Sequence, residues 1–307
     1  MASRGLSRRP FATPSLLRVP LPICTDWYKL EKMGLFVPAL ATQVDVYSIV
    51  IAIGGVAVRV NTTDAGFLEL MQNRYAGFIN TPACVECDFD VELGQLRFAD
   101  PSADVSVTQR AGQWFLQRGD FYAEWDPATG HGSIRQTANP YSIDAVLRIV
   151  HTLVLARQGG FLLHSASAVR YGKAFLFAGV SGAGKTTISR LAPADATLLT
   201  DEISYVRKLD DGYVAFGTPF TGELAKLGEN TSAPIGALYL LVQGHENRID
   251  PVTAAEAGRG ILVNMLFFAE DQEMVHCAFR AACDFADHVP IYRLTFVPDA
   301  RVWEMIG

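Results

Sequence analysis

The 307-residue chain has no apolar run long enough to cross a membrane as a helix. The longest, Tyr47 to Val58, is interrupted by Gly54-Gly55 and bounded by Asp45 and Arg59. It covers about a dozen residues, where a span needs about 20. The run from Ile261 to Ala269 is shorter and carries Asn264. No continuous apolar stretch accompanies Arg4, Arg8, Arg9 and Arg18, so residues 1–29 read as a flexible basic tail rather than a secretory signal. Cysteine is sparse: five in the whole chain, an odd number. Reduced thiols in a cytoplasmic protein are the simplest account. Positive charge is not in excess either, the net charge being −6. That disfavours a nucleic-acid binder working through a broad basic surface. A small anionic ligand stays possible, because it needs only one local positive site. Charged residues make up 19% and apolar residues 50%, which excludes wholesale disorder. No repeat or low-complexity segment is visible.

The length suits about two domains. Residues 30–140 read as an α+β module. Val44–Val60 alternates around Gly54-Gly55 and predicts a β-hairpin. Asp64 can cap a short helix bearing Phe67, Leu70, Met71 and Tyr75. From Val85 to Leu93, apolar residues alternate with Glu86, Asp88, Asp90 and Glu92, predicting a half-buried strand with one acidic face. Cys84 and Cys87 fall in that stretch. As strand residues three apart they point to opposite faces about 10 Å apart, which is wrong for a shared metal or a disulfide. Cys277 and Cys283, near His276, form no clean stripe. Short β runs at Trp114-Phe115, Phe121–Trp125 and Ser133-Ile134 predict an antiparallel meander.

Residues 141–307 change style. A helix capped by Ser142 should carry Ile143, Val146, Leu147, Val150, Leu153 and Val154 on one stripe and end at Gly159-Gly160. Phe161–His164 predicts a strand ending at the histidine. Ala168–Arg170 and Ala174–Ala178 flank a tight turn, and Thr197–Thr200 predicts another strand. Val206–Leu209 and Tyr213–Phe216 flank Asp210-Asp211-Gly212, a hairpin signal. Ile235–Gln243 and Ile291–Phe296 predict strands, with helices over about 252–268 and 271–286. Asp299 can cap a closing helix containing Trp303.

Within this half, Gly179-Val180-Ser181-Gly182-Ala183-Gly184-Lys185-Thr186-Thr187 fits G-x-x-x-x-G-K-[ST] without exception. Phe175–Ala178 leads in as a strand and Lys185–Leu191 leads out as a helix. The glycines let backbone N–H groups turn inward around an anion, and a helix start adds further donors. Lys185 would bring a point charge to the β and γ phosphates, and the Thr186 hydroxyl can ligate Mg²⁺. Pro193 should stop the helix after about two turns. The next strand ends in Asp201-Glu202, sixteen positions after Lys185. After so short a helix it is expected to return beside the loop strand and leave its carboxylates at the nucleotide end of the sheet. One acid would take a proton from an attacking hydroxyl and the other would hold metal; spacing alone leaves the division open. His164 could reach Asp201, holding the carboxylate or sensing charge.

Leu163-His164-Ser165-Ala166, the loop Gly179–Thr187, the short helix and Leu199-Thr200-Asp201-Glu202 resemble the catalytic domain of the HPr kinase/phosphorylase family. Gly217-Thr218-Pro219-Phe220-Thr221-Gly222-Glu223 and Pro290-Ile291-Tyr292-Arg293-Leu294 extend the resemblance over about 145–305. It implies an α/β P-loop kinase core of the HPr kinase / phosphoenolpyruvate carboxykinase type behind the N-terminal α+β module. The activity implied is ATP- and Mg²⁺-dependent phosphorylation of a serine hydroxyl. By that resemblance, residues 179–187 hold phosphate, Lys185 being also catalytic. Thr186, Asp201, Glu202 and Glu223 are metal candidates, Asp201 is the base and His164 supports it. True HPr kinases carry two aspartates where this chain has Asp201-Glu202, and their loop for gripping the HPr protein has no match here. The expected acceptor is therefore a serine in another peptide or protein, with a small-molecule hydroxyl as the alternative. No nucleic acid or membrane partner is implied, and an oligomer is possible. The other readings are a nucleotide-binding regulatory ATPase without phosphotransfer and a carboxykinase-like enzyme. Arg248, Arg259 and Arg280 are candidates for steadying transition-state charge. The acidic face of the N-terminal module could attract a basic segment of the acceptor.

Overall fold

The computed structural model describes residues 45–82, 84–94, 100, 102–222 and 228–307. The basic tail and Glu223 lie outside the described residues. Two mixed β-sheets are joined by one long helix, and among the described residues no helix is long and apolar enough to cross a membrane.

The first sheet begins with the expected hairpin, β1 (Tyr47–Ile53) and β2 (Val56–Thr62), paired antiparallel through Ile53↔Val56. Helix α1 (Ala65–Arg74) follows, with Asp64 accepting from the Phe67 N–H, and it buries Phe67 and Met71. Strand β3 (Cys87–Leu93) buries Cys87, Phe89 and Val91. It starts at Cys87, so Cys84 precedes the strand instead of sharing its alternation. The meander β4 (Ser106–Arg110), β5 (Gln113–Arg118), β6 (Phe121–Trp125) and β7 (His131–Gln136) is antiparallel, as its short runs predict. The order β1-β2-β3-β7-β6-β5-β4 puts β3 inside the sheet, parallel to both β2 and β7. Its acidic face is largely spoken for. Asp88 pairs with Arg59 and bonds Asn61, Glu92 pairs with Arg135, and Glu86 accepts from the Ala57 N–H.

Helix α2 (Pro140–Arg157) connects the sheets. Its cap is Asn139, which accepts from the Tyr141 N–H with proline at the first helical position. Ser142 instead sits inside the first turn, buried, donating to Asp120. Twelve of the eighteen helical residues are buried, because the helix is covered on more than one side. Ile143, Val146, Leu147 and Val150 join one core with Ile51 and Trp114 of the first sheet and Leu162 and Tyr205 of the second.

The second sheet holds β8 (Phe161–Arg170), β9 (Lys173–Ala178), β10 (Thr197–Thr200), β11 (Ile203–Leu209), β12 (Gly212–Phe216), β13 (Ser232–Gln243), β14 (Arg248–Pro251), β15 (Met265–Leu266) and β16 (Ile291–Phe296). Between them lie α3 (Lys185–Arg190), α4 (Ala254–Asn264) and α5 (Gln272–His288), and a 3₁₀ turn capped by Asp299 closes the chain. Three expectations change. Strand β8 is continuous, so His164 lies mid-strand rather than at an end. The first of the two late helices stops at Asn264, whose amide bonds back to Gly260 O, and the chain goes on as β15 against β8. Strand β10 pairs antiparallel with β8 and not with the loop strand β9. The pairings β8–β11–β12–β13–β9–β8 close on themselves, which forces β8 to serve partners along both edges.

Candidate functional site

The glycine-rich loop joins β9 to α3. Phe175, Leu176, Phe177 and Ala178 are all buried, so the entry to the loop is rigid. Ala183 N–H donates to Val180 O at 3.0 Å, and Gln243 at the end of β13 donates to Gly182 O at 2.6 Å. Gly182 has φ +79° and faces open space, with nothing within 4 Å of where a Cβ would be. Gly184, the residue before α3, has φ +110°, and a Cβ there would meet the Phe296 ring at 2.5 Å. Lys185 is only 8% exposed, and its Nζ donates to Gly179 O at 2.7 Å and Val180 O at 3.3 Å. The ammonium therefore curls over the loop instead of reaching into solvent, while Val180, Ser181 and Gly182 are exposed. Thr186 and Thr187 are half-buried. The Trp303 indole donates to Ile188 O and pins α3 from behind.

The acidic pair stands across β8 from this loop. The β10–β8 register shifts between Leu198 and Thr200, and β11 resumes with Ile203 opposite His164. Asp201 and Glu202 fill the break between. On the other edge of β8, Ser165 pairs with Ala178, the residue before the loop. The carboxylates and the loop are thus about two strand spacings apart, roughly 10 Å between backbones. Thr200 Oγ1 accepts from the Glu202 and Ile203 N–H groups, which bends the chain at the break. Asp201 is 3% exposed and accepts from the Gly222 N–H at 2.9 Å. Glu202 is half-buried. Burial raises its pKa, aided by Asp201 and Asp144 and opposed by Arg148 and Lys185.

His164, partly buried, has a lowered pKa from burial and from the charges of Lys185 and Arg148. The charges acting on it are therefore cations, and the ring is held neutral. Residues spread over three elements, Lys185, His164, Asp201 and Glu202, share one electrostatic neighbourhood. Glu223 lies outside the described residues, but the segment leading to it closes over the acidic turn. Thr218 donates to Ile203 O, and Phe220 is buried against the α2 core.

The expected arginines are elsewhere. Arg248 is exposed and pairs with Glu246 and Asp250 on its own edge strand, and Arg259 and Arg280 are exposed on α4 and α5. The arginine beside the acidic turn is Arg148 of α2. Its guanidinium lies 3.7 Å from Glu202 and stacks 5.0 Å from the centre of the Phe220 ring. The signal was present on the helix: Asp144, Arg148 and His151, at i, i+4 and i+7, draw one polar line along an otherwise apolar segment.

Two mixed sheets and the helices around them define a mixed α/β protein with this cluster on the second sheet. Residues 133–307, more than half of the chain, match the family model described as SynChlorMet cassette protein ScmC, and the chain belongs to that family. The match takes in α2, the glycine-rich loop and the acidic turn. No curated protein matches the sequence.

Proposed function

We propose that the protein is an ATP- and Mg²⁺-dependent phosphotransferase with a P-loop kinase core similar to that of HPr kinase, acting in the cytoplasm on a serine hydroxyl of a peptide or protein. One observation supports this above the others: a buried aspartate and a half-buried glutamate stand across a single strand from a lysine-bearing glycine loop. Two features of the loop support a polyphosphate ligand. Gly182 opens onto free space, and the Lys185 ammonium already bonds oxygen atoms at the loop's entrance.

In this reading residues 179–187 hold the phosphates, with Lys185 placing positive charge on the transferred group. Thr186 and Glu202 would hold Mg²⁺, which neutralises charge on the phosphates when bound. Asp201 accepts the proton of the serine hydroxyl as its oxygen takes the γ-phosphoryl group and ADP leaves. The Gly222 N–H bond orients that carboxylate. Neutral His164 acts by hydrogen bonding and packing rather than by charge.

The test has two readouts. MgATP should raise Tm, and at a hundred times Kd the gain is about 2.7 kcal/mol by mass action. Lys185→Ala should remove most of that shift. Labelled γ-phosphate should then pass to serine peptides. An unchanged melting curve for wild type in millimolar nucleotide would defeat the nucleotide reading. Release to water alone would defeat phosphotransfer.

A further inference from the structure

A cavity of about 260 Å³ lies between the first sheet and α2. Val105 comes from the first sheet's side, Ala145, Arg148 and Ile149 from α2, and Leu266 and Phe268 from the segment after α4. We infer that this cavity seats a large apolar side chain of the peptide acceptor, placed within about three residues of the phosphorylated serine. The inference rests on the kinase reading above and adds the acceptor's recognition site to it.

Size argues first. An ordinary packing void is smaller than one or two waters, each about 30 Å³ in the liquid. Whole small-molecule ligands occupy about 300–1,000 Å³. The observed volume suits one large side chain with some of its backbone. Charge argues next. Of the ionic groups at the wall, Arg118 is paired at two points with Asp120, and Asp144 is bonded by Arg74 and the Tyr75 hydroxyl. Arg148 is paired with Glu202. With each charge at the wall already partnered inside the protein, an added ion finds no unpaired counter-charge there, whereas a neutral apolar group needs none.

Arg148 supplies the connection. It lines the cavity, and its guanidinium is 3.7 Å from Glu202. Arg148 is thus shared between the cavity wall and the ion pair with Glu202, and an extended peptide, at about 3.3–3.6 Å per residue, spans a guanidinium in about two or three residues. The first sheet, which carries no chemistry of its own, thereby becomes one wall of the acceptor site.

The test uses the full chain, MgATP with labelled γ-phosphate, and degenerate serine peptides in which one flanking position at a time is fixed as Phe, Leu, Ala, Asp or Lys. Wild type should prefer Phe or Leu over Ala, Asp and Lys at one position by about tenfold or more. Ala145→Phe, a substitution into the cavity from a partly exposed helix position, should erase that preference through KM while keeping the nucleotide-induced rise in Tm. Phe268→Ala enlarges the cavity and should shift the preference towards Trp, so a folding failure of Ala145→Phe leaves a second variant to decide. Labelling of every pool alike, or a preference indifferent to both variants, overturns the cavity inference and leaves the kinase reading standing. Nucleotide binding with no pool labelled overturns both.

Discussion

His151 provides a sharp test of how tightly α2 is enclosed. The ring is fully buried between α2 and β11, with Nδ1 3.0 Å from the Tyr205 hydroxyl and no partner for Nε2 among the described residues. Burial lowers its pKa from 6.5 to about 3. The folded pKa lies below the unfolded one, so the unfolded chain takes up the proton first as pH falls. The stabilisation is fully present above about pH 6.5 and is lost progressively down to about pH 3. At about pH 4.5 the unfolded ring is almost wholly protonated and the folded ring is not. Two pH units at about 1.4 kcal/mol each give a loss of about 3 kcal/mol relative to pH 7.5. That is a large part of a typical stability of about 5–15 kcal/mol. The assay is urea unfolding of wild type and His151→Gln across this range, where the amide can still bond Tyr205 but does not titrate. Groups common to both proteins cancel in the difference. The advantage of wild type over the variant should shrink by about 3 kcal/mol between pH 7.5 and 4.5. A difference that stays flat would mean that the ring takes up its proton as readily in the fold as in the unfolded chain, and the enclosure of α2, which also carries Arg148, would be wrong.

Asp201→Asn keeps an oxygen for the Gly222 N–H and should leave Tm and nucleotide affinity nearly unchanged while phosphate transfer falls about 10²–10⁴-fold; loss of nucleotide binding with turnover per bound nucleotide intact would make Asp201 a metal ligand instead. Gly184→Ala should cost more stability than Gly182→Ala in urea unfolding. Both put an L-residue at positive φ, at about 1–2 kcal/mol, but only the Gly184 methyl meets the Phe296 ring, adding about 1–3 kcal/mol. Equal costs would mean that the loop sits differently on Phe296.

Local chemistry made much of the chain legible. The Gly54-Gly55 and Asp210-Asp211 turns, the Asp64 and Asp299 caps, the alternation of β3 and the strand–loop–helix around Lys185 all depend on residues within about ten positions of one another. Their geometry follows from nearest-neighbour sterics and hydrogen bonding, so residue order alone determined them. Pairing between distant strands was decided only by the tertiary structure. Strand β8 is one strand because two sets of partners, β9 with β10 and β11 with β15, cover its halves. No run of residues within β8 could announce that, and so His164 read as a terminus. The same holds for β10, which follows α3 closely in the chain yet docks on β8 because the loop strand's edges are already taken by β8 and β13. Arg148 shows the limit most plainly. Its line with Asp144 and His151 could be seen on the helix, but a charge on a helix says nothing of its partner until packing brings α2 against Glu202. Apolar burial set that approach, and burial is summed over the whole chain, where capping and turn preferences are spent within a few residues.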